Sequence, residues 1–118
     1  MTNENFSILR IHISNTDKLG LNTLYEQIVQ KAHKQGISGV TVYKGIMGYG
    51  LSSNHITASK FWEITEKLPV VVEMIDKTEV LQVFYKEIES ELKELGKGCL
   101  VYILPINILL HQSGKNTK

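Results

Sequence analysis

An α+β domain, with two helices laid on one face of a four-stranded antiparallel sheet, is predicted by three observations. Two stretches, 22–35 and 77–94, carry apolar residues at helical spacing. Four others, 7–14, 39–47, 70–75 and 99–104, carry strand-type patterns. Their order is β-α-β, a long excursion, then β-α-β, which is the ferredoxin-like split βαβ arrangement. The 118 residues suit one domain. It is expected over 1–111, followed by a polar, disordered tail at 112–118.

Residues 7–14 alternate strictly. Leu9, Ile11 and Ile13 fall on one face, and Ile8, Arg10 and His12 on the other. The first face should meet helices. After a turn-rich loop, Thr23 and Glu26 have capping-box spacing. Leu24, Tyr25, Ile28, Val29 and Ala32 then form the apolar stripe of the first helix. Gly36 follows as a C′ residue, where a left-handed backbone costs glycine little.

In the second strand Gly45 interrupts the pattern, which predicts a bulge or a close backbone approach. Phe61, Trp62 and Ile64 suit a strand arm or a helical turn, with packing at a subunit contact the favoured role for the two aromatics. Pro69 marks a break. Val70 to Ile75 is nearly all apolar, so burial on both faces is expected, with Glu73 the exception. Asp76 is read as the cap of the second helix, with Glu79 completing a capping box. Val80, Phe84, Ile88 and Leu92 form its stripe, widened by Leu81 and Leu95. Gly96-Lys97-Gly98 ends it. Pro105 should break the fourth strand, leaving 106–110 as a short edge strand.

Thirteen basic residues face twelve acidic ones, a net charge of +1. That balance argues against nucleic-acid binding, which needs a basic surplus on one face. Cys99 is the single cysteine and lies in an apolar run, so it is read as a buried, inert thiol and not as a nucleophile. A lone cysteine also suits a reducing compartment, and the cytoplasm is expected. Neither a signal peptide nor a membrane-spanning stretch is predicted. No nucleophile elbow or marked carboxylate pair occurs, so the expected protein is not an enzyme, and no cofactor is expected.

The segment Lys44-Gly45-Ile46-Met47-Gly48-Tyr49-Gly50 is the richest in glycine, and Ser52, Ser53 and His55 follow it. Gly45, Gly48 and Gly50 can expose backbone N–H groups toward an anion, helped by Lys44, Ser52 and Ser53. A bulged strand end with a flexible tip is the plain alternative. It is not a Walker motif, since the Gly-Lys-Ser/Thr ending is missing. Gly96-Lys97-Gly98 brings one further positive charge. His12, His33, His55 and His111 show no metal-binding spacing. His55, in the loop, is the best placed for ligand contact. Arg10, Lys44 and Glu73 are expected to pair on the sheet's non-helix face.

Leu9-Arg10-Ile11-His12-Ile13, Leu24 to Val29, Gly36 to Val42, Lys44 to Gly50, Ser52-Ser53, His55-Ile56-Thr57 and Leu68 to Glu73 together resemble the domain-of-unknown-function 190 family, a PII-like group. The resemblance covers about residues 7–104. It implies a PII-like homotrimer that binds nucleotides or similar anions in clefts between subunits. Gly45 to Thr57, with Tyr49 at its base, matches the long loop of PII proteins. Gly96, Lys97 and Gly98 match the second, phosphate-holding loop. Residues 99–110 contain no Lys or Arg, so the triphosphate clamp of PII proteins has no counterpart here. The resemblance also implies a regulatory role toward a partner such as a membrane transporter or channel. The expected ligand is a small anionic metabolite or nucleotide, an adenine nucleotide first. A divalent-metal-responsive trimer, like the cation-tolerance proteins, and a ligand-free oligomeric adaptor are the alternatives.

Overall fold

The computed structural model describes residues 5–50, 53–58 and 67–114. In chain order the elements are β1 (Phe6–Ser14), β2 (Lys18–Leu19), β3 (Asn22–Thr23), α1 (Leu24–Lys34), β4 (Gly39–Lys44), β5 (Met47–Gly50), β6 (Ser53–Ala58), β7 (Pro69–Lys77), α2 (Thr78–Leu95) and β8 (Leu100–Ile106). The main sheet runs β4-β7-β1-β8, and every neighbouring pair is antiparallel. The chain thus forms the expected four-stranded sheet with two helices. Two small hairpins, β2-β3 and β5-β6, are added to it. β2 lies in the turn-rich segment that the sequence reads as a loop, whereas β3 takes the first two residues of the expected 22–35 helix, which starts at Leu24.

The core lies between the sheet and both helices. Leu9 and Ile11 of β1, and Val70, Val72 and Met74 of β7, are fully buried there. They pack with Leu24, Ile28 and Ala32 of α1 and Leu81, Phe84, Ile88 and Leu92 of α2. Val80, assigned to the stripe of α2, is partly exposed, and Leu81 takes the buried position. β7 alternates between full and partial burial. Its apolar run is therefore not buried on both faces in the single chain; one face is left half-covered.

The helix ends follow local chemistry. Thr23 Oγ1 accepts from Glu26 N–H at 3.4 Å, and its hydroxyl donates to Glu26 Oε1 at 2.6 Å. At the other end of α1, Ile37 N–H reaches Ala32 C=O and Gly36 N–H reaches His33 C=O, both at 3.1 Å. With φ of 77° at Gly36, this is a Schellman closure. Lys31 pairs with Glu91, and Gln35 with Glu87, across the two helices.

Three expectations are corrected. Asp76 does not cap α2; it is the penultimate residue of β7. It accepts from Ser38 N–H at 2.9 Å and Lys77 N–H at 2.7 Å, tying β4's start to β7's end. The first N–H of α2, on Thr78, is instead satisfied by Asn5 C=O at 2.9 Å. Pro105 does not break the last strand, which continues to Ile106 with Pro105 opposite Ser7. β8 is an edge strand, where a missing N–H is tolerated. Residues 107–110 consequently form no strand of their own.

Candidate functional site

β4 stops at Lys44, and the chain turns away from the main sheet at Gly45. At this point it makes a close approach to Pro69. Gly45 N–H donates to Pro69 C=O at 2.7 Å, and a Cβ on Gly45 would lie 2.7 Å from Pro69 Cγ. Only glycine fits this contact without displacement. Gly48, at φ 156°, also packs on the Pro69 ring, with a virtual Cβ 3.5 Å from Cγ. The predicted interruption at Gly45 is therefore a close packing site.

Beyond it, β5 and β6 form a hairpin. Met47 faces Ala58, Gly48 faces Thr57 and Gly50 faces Ser53. The register shifts between Gly48 and Gly50, so Tyr49 stands opposite three residues, 54–56. His55 lies in that bulged stretch. Ile46, Met47 and Tyr49 are largely exposed. The predicted Lys44, Gly45, Gly48, Tyr49, Gly50, Ser53 and His55 therefore share one arm of the molecule. Ser52 lies outside the described residues, as do Phe61 and Trp62.

Gly96, Lys97 and Gly98 sit elsewhere. Gly96, in a left-handed conformation (φ 67°), closes α2 with its N–H on Lys93 C=O at 3.2 Å. The three residues border a shallow cleft of about 420 Å³, completed by Tyr85, Leu92, Lys93, Cys99 and Val101. Cys99 is partly exposed there, not fully buried as expected. Burial, reinforced by Glu89, raises the Tyr85 phenol, which donates to Glu89 Oε2 at 3.3 Å. Tyr85 and Lys93 were not singled out from sequence; only the fold brings α2 over β8.

The strand register relates the two loops. Lys44 is paired with Val70, which is paired with Ile13; the neighbouring His12 faces Leu100. The exit of β4 and the entry of β8 are thus at the same end of the sheet, on opposite edges. Three inter-strand spacings, about 14 Å, separate them. One chain does not merge the two loops into a single pocket.

The sheet's other face carries a polar cluster in an apolar frame. Arg10 Nε donates to Glu73 Oε1 at 2.9 Å, and Tyr43 Oη donates to Glu73 Oε2 at 3.4 Å. The Glu73 hydrogen bond, assisted by Tyr102, raises the Arg10 pKa and keeps the guanidinium charged. His12 Nε2 lies 2.9 Å from Tyr102 Oη. Burial, then the Arg10 charge, lowers the His12 pKa. Lys44 does not join Arg10 and Glu73, because its register with Val70 and Ile13 gives it the opposite parity. Ile8, Val71 and Ile75 are half-buried around the cluster, while Tyr43, Leu100 and Leu104 are exposed.

Among the described residues, no three His, Cys, Asp or Glu side chains gather to hold a metal ion. Among them, too, no helix is long and apolar enough to cross a membrane.

Residues 6–108 match the domain-of-unknown-function 190 family, described as "Uncharacterized ACR". A UPF0166 protein of Methanocaldococcus jannaschii is 33% identical over 99 residues, 80% of this chain and 90% of the relative. Another, from Aquifex aeolicus, is 33% identical over 84 residues, 71% of this chain and 79% of the relative. Among solved structures, CPII of Thiomonas intermedia K12, bound to ADP and bicarbonate, superposes with a TM-score of 0.62 at 12% identity over 88% of each chain. A "putative PII-like signaling protein" of Thermus thermophilus gives 0.59 at 16% identity, covering 87% of this chain and 88% of that one. The fold is PII-like.

Proposed function

This chain belongs to the domain-of-unknown-function 190 family, and from that premise we propose that it is a non-catalytic PII-like regulator, a homotrimer binding an adenine nucleotide between subunits. The observation that carries this reading is the placement of the two glycine-rich loops at one end of the sheet but on opposite edges. Side-by-side copies would bring the β5-β6 arm of one subunit to the Gly96-Lys97-Gly98 loop of the next. Backbone N–H groups of the arm, with Lys93 and Lys97 across the cleft, would then face the phosphates. The ADP bound to CPII supports the ligand class. The half-covered apolar face around Arg10 and Glu73 supports assembly, since such a frame gains stability when a second copy excludes water. A ligand-dependent change in the arm would present a surface to a partner such as a membrane transporter or channel.

Isothermal titration with AMP, ADP and ATP, with light scattering on the same sample, tests both halves. A trimer mass and one nucleotide per subunit are expected. A monomer, or no heat from any of the three at millimolar concentration, would overturn the reading.

A further inference from the structure

We propose that Asn15, in the turn after β1, is a positioning residue that sets the attitude of the glycine-rich arm. Its N–H donates to Leu68 C=O at 2.9 Å, and its side-chain Oδ1 accepts from Leu68 N–H at 2.7 Å. Both polar groups of the Leu68 peptide backbone are thus held by one residue. Leu68 is buried and immediately precedes Pro69.

Pro69 is the residue on which the arm rests. Its carbonyl receives Gly45 N–H, and its ring meets both Gly45 and Gly48. Asn15 therefore fixes the returning foot of the excursion, and Pro69 passes that fixation to the outgoing foot. The turn holding Asn15 is itself secured. Buried Asp17 accepts from Ser14 N–H at 3.1 Å through Oδ2, and its carbonyl receives Leu24 N–H, at the start of α1, at 2.7 Å. The arm is anchored through this chain to the first helix. A clamp made by a side-chain acceptor is stiff while formed and local when lost, which suits a residue that orients a loop.

The inference deepens the proposed nucleotide reading, but its first test does not depend on it. Hydrogen exchange with mass spectrometry is measured on the full chain and on Asn15→Ala and Asn15→Asp. Asn15→Ala removes the Oδ1 acceptor, and exchange across 45–50 should rise about five- to tenfold, the effect of one lost hydrogen bond. Amides in the centres of β1 and β7 should keep their rates. Asn15→Asp retains an acceptor and should restore protection. Unchanged exchange at 45–50 in Asn15→Ala, or an equal rise throughout the core, would overturn the proposal. ADP titration forms the second arm: Asn15→Ala should weaken binding several-fold and Asn15→Asp less. A wild-type chain that binds no nucleotide would sink the proposed function alone, leaving the exchange result to decide the clamp.

Discussion

Arg10 and Glu73 stand opposite each other on the two central strands and meet at 2.9 Å on the sheet face away from the helices. Glu73 also receives Tyr43 from the edge strand β4, so one carboxylate links three strands. Breaking the pair should cost more than its mutual attraction, because the partner left behind stays partly sheltered without its counter-charge. A double-mutant cycle with Arg10→Leu and Glu73→Gln, followed by urea unfolding, should show each single change lowering the midpoint. The double change should cost less than the sum. Strict additivity would mean that the pair carries no coupling.

His12 provides a pH test. Burial and the Arg10 charge hold its pKa below the ordinary 6.5, so the native state prefers the neutral ring. The stabilisation is complete above 6.5 and is lost as the pH falls through that value and then through the lower native one. Melting temperature should therefore decline more steeply from pH 7 to pH 5 in the wild type than in His12→Gln. Parallel profiles would remove His12 as the cause.

The contact between Gly45 and Pro69 predicts a cost for the smallest possible side chain. Gly45→Ala forces a Cβ against the proline ring and should destabilise by about 1–3 kcal/mol, an overpacking penalty. Adding Pro69→Ala removes Cγ and should recover part of that loss. Urea midpoints of the two single variants and the double variant decide the matter; no recovery would place the strain elsewhere.

Lys97 should matter to ligand and not to fold. It is exposed, beyond the end of α2. Lys97→Gln should leave the melting temperature of the free protein unchanged and weaken ADP by about tenfold, the scale of one charge-assisted hydrogen bond. Equal affinity in both proteins would remove Lys97 from the phosphate site.

The sheet and both helices were legible because their signals are local. Alternation placed Leu9, Ile11 and Ile13 in the core, and Gly36 announced the end of α1. Asp76 misled because its spacing to Glu79 imitates a cap, while its partner, Ser38, lies 38 residues away. Pro105 misled because a breaker is judged along the chain, whereas its tolerance depends on having no outer neighbour. In the candidate site, the glycine arm could be seen as a string of residues. The proline that shapes it, and the asparagine that holds Leu68 just before that proline, could not, since each acts on a part of the chain far away in sequence.

Pro105 has a consequence for how copies of this chain can grow into larger objects. A proline withholds a proton from the rim where it sits, so a foreign strand laid along β8 meets a gap in its zipper. The β4 rim has no proline. The two flanks of the sheet are therefore unequal as templates, and repeated strand-on-strand growth through the β8 rim is disfavoured.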